Sequence, residues 1–258
     1  MELHIIVCIK SVIIKAPEGP IVRSYDSSEL NPYDRPVLET ALRLRDEQGG
    51  RITVLSMGPE TSISALSEAT AMGIDRGVLV CDPALAGSDT LATSTALAAA
   101  IQKLAPFDVV LFGTRTADSD TGQVGPQTSV LLDIPLVTLV HSIELINSGL
   151  HVERKADDFI EKFQLSFPAA FTIHPGSIQP RDIDLTGIGL AFEEQKIEIW
   201  NLDDLGLSPD LVGDVGSPTR VLSISKVKRH KSCEFLKGDT VEQADELIKR
   251  LSESGMIG

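Results

Sequence analysis

FDVVLFGTRTADSDTGQVGPQTSVLLDIP, residues 107–135, decides the fold. Val109, Val110, Leu111 and Phe112 form a short continuous apolar run, the pattern of a strand buried on both faces. Gly113 ends it, Thr114 to Ser119 is short and polar, and Asp120 or Thr121 is placed to cap a helix running through Leu132. The unit therefore reads strand, polar loop, helix start. The amides of Thr121, Gly122, Gln123 and Val124 fall at or near the helix N-terminus, unpaired and aimed at the carboxyl edge of a sheet. Free amides and a positive dipole end suit a phosphate, and Gly122 lets a ligand approach the backbone closely. Many such joints hold only water. Asp118 and Asp120 repel a bare phosphate and fit better as helix caps or as acceptors for ribose hydroxyls.

Working outward, the same rhythm repeats. His4 to Ile9 is a buried strand by length and β-branched content. Lys10 to Glu29 holds Pro17, Gly19 and Pro20 and reads as a loop or small hairpin. After Leu30-Asn31-Pro32-Tyr33-Asp34, the apolar spacing of Val37, Leu38, Ala41, Leu42 and Leu44 predicts a helix ended at Gly49-Gly50. Arg51 to Ser56 is a second strand, Ser62 to Met72 a helix with Gly73 behind it, and Val78 to Cys81 a third strand. Asp89 to Ser94 opens an Ala-rich helix to about Leu104. Strands alternating with helices argue a mostly parallel, doubly wound α/β sheet of Rossmann-like, adenine-nucleotide-binding type. In such sheets ligands lie at the carboxyl ends of strands, near a switch in strand order. The loops at Lys10 onward, Met57-Gly58-Pro59, Leu85 to Thr93 and Gly113 to Val124 meet that description. Neither G-x-G-x-x-G nor a P-loop is present.

Beyond Leu136 to Ser142, a further strand, the pattern changes. Ile143 to Arg154 and Glu161 to Ser166 read as an antiparallel extension around Asp157-Asp158, and Pro168 to His174 as a short strand. The stretch from Ile178 to Gly189 looks irregular with an exposed Leu185, and Ala191 to Gln195 reads as a helical turn. Residues 200–227, rich in Gly, Pro, Asp and Ser, are expected to form an arm, followed by an amphipathic helix over Val241 to Leu251 that is too short to stand alone. The division expected is a nucleotide-binding domain over residues 1–199 and an arm with its helix over 200–258.

A net charge of −14 makes nucleic acid and anionic membranes poor partners. Cys8, Cys81 and Cys233 lack metal-ligand spacing, which favours a reducing compartment. No signal peptide and no bilayer-length apolar run is visible, so a soluble cytoplasmic protein without membrane insertion is expected. No metal site and no side-chain catalytic constellation is present, as suits a protein that positions a cofactor.

Several motifs, taken in order, resemble the β subunits of electron transfer flavoproteins. They are Asn31-Pro32-Tyr33-Asp34 with Leu38-Glu39-Thr40-Ala41-Leu42, Ser56-Met57-Gly58-Pro59, and Ala71-Met72-Gly73-Ile74-Asp75-Arg76. Asp89-Thr90-Leu91-Ala92-Thr93-Ser94 and Asp118 through Pro126 are the most specific, and Pro180-Arg181 and Gly216-Ser217-Pro218-Thr219 follow. The resemblance implies an α/β heterodimer whose α subunit carries one FAD. This chain would hold a second nucleotide, AMP in the housekeeping branch and FAD in the electron-bifurcating branch, to which its motifs look closer. In that branch NADH is the donor, and electrons pass to an acyl-CoA-type dehydrogenase and to a low-potential acceptor such as ferredoxin or flavodoxin. The chain would then be an electron-carrier subunit. Carried over by position, Cys8 and Met57 would contact the adenine side through the backbone, Gly58 and Asp118 would belong to the cofactor-binding set, and Asn31 would help close the ribose or adenine pocket. Asp89, Thr90 and Thr93 would face the phosphates or ribityl chain. Asp118 lies in the motif that opens the cradle, and Asp120, Thr121, Gly122, Gln123 and Val124 would hold the pyrophosphate. Leu185 would anchor the partner dehydrogenase. The alternative of another class is an ATP-binding module of universal-stress-protein type.

Overall fold

The computed structural model describes residues 2–13, 27–146, 149–193, 197–220, 222–223 and 233–257. Its centre is a nine-stranded sheet whose core strand, β1 (Leu3–Ile9), is buried along its whole length. β1 pairs in parallel with β4 (Gly50–Met57) on one side and β6 (Val109–Gly113) on the other. Beyond β4 lie β5 (Arg76–Val80) and β11 (Ile197–Trp200), and beyond β6 lie β10 (Ala169–Ile173) and β7 (Leu136–Ile146), all parallel to their neighbours. β8 (Gly149–Ala156) and β9 (Phe159–Leu165) continue the sheet antiparallel, turning at Asp157-Asp158 as expected. β2 (Ser11–Ile13) and β3 (Ser28–Leu30) pair antiparallel in a small separate two-stranded sheet. The expected Pro17, Gly19 and Pro20 loop lies outside the described residues.

Alternate residues of β1 serve opposite faces, as the period of two requires. Leu3, Ile5 and Val7 join Val37, Leu38, Ala41 and Leu42 of α1 (Arg35–Gln48) and Leu66 of α2 (Ile63–Ala71). Ile6 and Cys8 join Ala96, Leu97, Ala100 and Ile101 of α3 (Thr90–Lys103) on the other face. α4 (Val124–Leu131) lies beside α3 on that second face, with Ser94 Oγ 3.2 Å from the Val124 carbonyl oxygen. A sheet covered on both faces is the reason its strands read as unbroken apolar runs.

Three expectations are corrected. Leu185 does not sit in an irregular loop: it opens α5 (Leu185–Glu193). Asp184 accepts the Gly187 amide at 2.6 Å, and a Cβ on Gly187 would collide with the Ala71 carbonyl of α2. Gly187 and Gly189 hide this helix from propensity arguments, and packing on α2 overrides them. The strand expected over 143–154 is divided between β7 and β8. The boundary expected at residue 199 falls inside β11, and the first compact unit runs to Arg220. Trp200, Leu202 and Val212 are buried, and Trp200 lies between the Arg76 guanidinium, 5.6 Å from its ring, and the Lys103 ammonium, 4.8 Å away. This segment contains the short helices α6 (Leu202–Leu205) and α7 (Gly213–Gly216). The second unit, residues 221–258, contains α8 (Thr240–Glu253), opened by a reciprocal capping box between Asp239 and Glu242. Among the described residues no helix is long and apolar enough to cross a membrane.

Candidate nucleotide crevice

The carboxyl ends of β1, β4, β5 and β6 lie along one edge because these strands are parallel. The chain winds from β1 to β4 and β5, then returns to the other side of β1 for β6. In doubly wound sheets such a reversal is where a crevice opens, and here it falls between the loop after β1 and the loop after β6. Cys8 stands in register with Leu55 on one side and Phe112 on the other, so it marks the crevice floor. Burial, and then the charge of Asp34, push its thiol upward, which leaves it a neutral packing group.

The loop after β6 carries the decisive feature. Asp120 and Gly122 both adopt left-handed backbone, with φ of 53° and 63°. Among the described residues no protein group accepts a hydrogen bond from the amides of Thr121, Gly122, Gln123 or Val124. The helix begins at Val124, and Gln123 precedes it without any side-chain cap. The expected caps, Asp120 or Thr121, are therefore corrected. The Asp120 amide is also unavailable to a ligand, because it donates to the Thr116 carbonyl at 3.0 Å. The Asp120 carboxylate lies 3.4 Å from Arg115, whose guanidinium stacks 4.8 Å above the Tyr33 ring. Asp118 is no cap either, since it pairs with Lys10 Nζ at 2.8 Å across the crevice mouth. Burial raises the Asp118 carboxyl, but the Lys10 ammonium outweighs it and holds the group below the usual carboxylate range.

α3 presents its N-terminus beside that of α4, closed by protein. One Asp89 oxygen caps it through the Leu91 and Ala92 amides at 3.0 Å, and the other accepts from the Thr219 amide and hydroxyl at 3.0 and 2.7 Å. Burial favours the neutral acid, but these donors prevail and lower its pKa. Ser217 completes the tether by accepting the Asp89 amide at 2.8 Å. Thr90 and Thr93 sit half-buried on the first turn of α3, with the Thr93 amide on the Asp89 carbonyl. Met57 ends β4, and Gly58 donates its amide to Val80. Asn31 is wholly buried, and its side chain braces the loop at Arg115 and Ala117. The structure thus gathers Cys8, Asn31, Met57, Gly58, Asp89, Thr90, Thr93, Asp118 and residues 120–124 on one edge. Leu185, on α5, stays outside that cluster and is 87% exposed.

Sequence reasoning gave no site role to Lys10, Asp34, Arg115 or the Ser217–Thr219 tether. Asp34 and Thr219 stood inside quoted motifs, but their tasks depend on partners far along the chain.

Fold and crevice together define a doubly wound α/β protein with the kind of edge that holds nucleotides. A family model described as the electron transfer flavoprotein domain matches residues 19–204. The chain is 38% identical over 237 residues to the electron transfer flavoprotein subunit beta of Thermoanaerobacterium thermosaccharolyticum, covering 92% of this chain and 91% of that one. It is 37% identical to the caffeyl-CoA reductase-Etf complex subunit CarD of Acetobacterium woodii, over 99% of this chain and all of that one. It is 32% identical to the acryloyl-CoA reductase electron transfer subunit gamma of Anaerotignum propionicum, over 99% of this chain and all of that one. The chain belongs to the electron transfer flavoprotein family, among its β subunits. This membership sets aside the universal-stress-type reading.

Proposed function

We propose that this β subunit holds FAD in the crevice and works in a heterodimer with an electron transfer flavoprotein α subunit. The observation that carries the reading is the set of amides at Thr121, Gly122, Gln123 and Val124 left without protein acceptors. Backbone donors at a helix start suit a diphosphate and need no basic side chain, which fits a chain of net charge −14. In this reading Gly122 gives the diphosphate close access, Cys8, Met57 and Gly58 line the adenine side, and Thr90 and Thr93 face the linking chain. A bound flavin supplies the electron chemistry, while the protein holds it, orients it and excludes water.

The names of the reductase-complex relatives support an acyl-CoA-type dehydrogenase or reductase as the partner; the proposal adds NADH as donor and a low-potential acceptor such as ferredoxin or flavodoxin, in the manner of flavin-based bifurcation. Leu185, exposed at the start of a helix braced on α2, is the proposed dehydrogenase contact. The second unit, with the apolar stripe of α8, is the proposed contact for the α subunit. Truncation after Arg220 should leave the first unit folded and weaken subunit pairing, as measured by co-purification; undiminished pairing overturns that assignment.

A second reading, AMP as a structural piece, shares the same amides. Release of small molecules from the purified heterodimer, identified by mass, separates the two. FAD accounting for both nucleotide sites, with direct reduction by NADH, supports the proposal. AMP in equal amount to a single FAD, without reduction by NADH, supports the second reading. Absence of any adenine nucleotide bound to this chain overturns both.

A further inference from the structure

Asp34 is a buried carboxyl, 3% exposed, in the wall of the crevice, and holding a diphosphate gives it no task. It precedes α1 but makes no side-chain cap there. Its Oδ2 accepts the Lys10 amide at 2.7 Å, just past the end of β1. Its Oδ1 accepts Asn31 Nδ2 at 2.9 Å. Asn31 then reaches the loop after β6: Nδ2 donates to the Arg115 carbonyl at 2.9 Å and Oδ1 accepts the Ala117 amide at 3.2 Å. The Asn31 amide donates to the Lys10 carbonyl at 2.9 Å. A Cβ on Gly113 would collide with Asp34 Oδ1, so the last residue of β6 has to be glycine for the carboxyl to sit here. The two walls of the crevice are thus joined through the Asp34–Asn31 pair, in addition to the Lys10–Asp118 ion pair at the mouth.

We propose that Asp34 is a positioning residue: through Asn31 it fixes the gap between the loop after β1 and the loop after β6, and so the fit of the nucleotide. This rests on the nucleotide reading above. The carboxylate form serves both N–H donors, whereas a protonated carboxyl keeps one good acceptor oxygen and must loosen one of them. Burial pushes the Asp34 carboxyl up to about 7. The charged groups facing it are Lys10 from the end of β1, which favours the carboxylate, and Asp118 from the loop after β6, which opposes it; the neutral Cys8 thiol of β1 is its other titratable neighbour. The clasp therefore tightens as pH rises through the neutral range.

The test uses the full-length chain with its α subunit, freed of bound nucleotide. Amide hydrogen exchange is followed at Lys10 and Ala117, and the affinities for added FAD and AMP are measured between about pH 6 and about pH 8. In Asp34→Asn, exchange at both amides accelerates, and affinity falls roughly tenfold at the upper pH, the scale of one charge-assisted hydrogen bond. Affinity in the wild type strengthens across that range, and in the variant it is flat. Asn31→Ala, which leaves Asp34 its Lys10 partner, releases Ala117 while Lys10 stays protected, and also weakens binding. Wild-type affinity and pH profile retained in both variants, or unchanged Ala117 exchange in both, overturns the proposal. A wild type that binds neither nucleotide refutes the nucleotide reading instead, and the exchange data still decide whether the clasp exists.

Discussion

Two helices bring their N-termini to the same sheet edge, and they are finished differently. The N-terminus of α3 is closed: Asp89 caps the first turn, and its second oxygen is taken by Thr219 from the other end of the compact unit. The N-terminus of α4 is open: Gln123 supplies no cap, and the amides from Thr121 to Val124 meet no protein acceptor among the described residues. An unsatisfied helix start is costly to leave dry and useful to leave for an anion. The contrast teaches that α3 anchors the fold at this edge, whereas the start of α4 leaves its donors for the ligand that the proposed function places there.

The largest effect is expected on the closed side. Trp200 holds the segment that delivers Ser217 and Thr219 to Asp89. Trp200→Ala should cost about 3–5 kcal/mol in urea denaturation, the usual penalty for emptying a buried tryptophan site. A loss below about 1 kcal/mol would mean that the segment is not part of the first unit's core.

Asp34 gives the next effect, and its sign is fixed. The folded-state pKa is raised to about 7 from an ordinary value of 3.8. The folded protein therefore binds more protons between these values, and stability falls as pH rises from about 4 to about 7, then levels off. The loss is on the order of a few kcal/mol. Denaturant midpoints across this range should show that slope in the wild type and a shallower one in Asp34→Asn; identical slopes contradict the assignment.

On the open side, Gly122→Asp places a carboxylate among the cradle amides and a side chain at φ 63°. Nucleotide affinity should fall at least about a hundredfold from like-charge repulsion, with the far-ultraviolet spectrum kept. Equal affinity would place the ligand elsewhere. The smallest effect is Asp89→Ala, about 1 kcal/mol of stability from the lost cap. Because both Asp89 oxygens already serve protein donors, this change should weaken nucleotide binding far less than Gly122→Asp does. A comparable loss of binding would show that Asp89 faces the ligand.

What the sequence disclosed follows the same division. β1, β6 and the start of α4 were legible because their pattern is local: an apolar run, a glycine, a polar loop. The amides at 121–124 came with that pattern. The cap is not legible locally: Asp120 and Thr121 are residue types that favour caps, whereas the backbone at Asp120 turns left-handed and spends its amide on Thr116. Residues 200–220 read as part of an arm in the sequence because what fixes them is distant in the chain: Arg76 and Lys103 around Trp200, and Asp89 against Thr219. Asp34 passed as an ordinary residue before a helix because Lys10 and Gly113 meet it only once the sheet has formed.

Backbone amide protection at the loop after β6 tests the central claim most directly. Exchange at Thr121, Gly122, Gln123 and Val124 is compared in the full-length heterodimer with and without FAD. Slow exchange at these amides on adding FAD, with little change at Asp120, whose amide is already bonded to Thr116, is the result expected. Saturating FAD that leaves exchange from Thr121 to Val124 unaltered would contradict it.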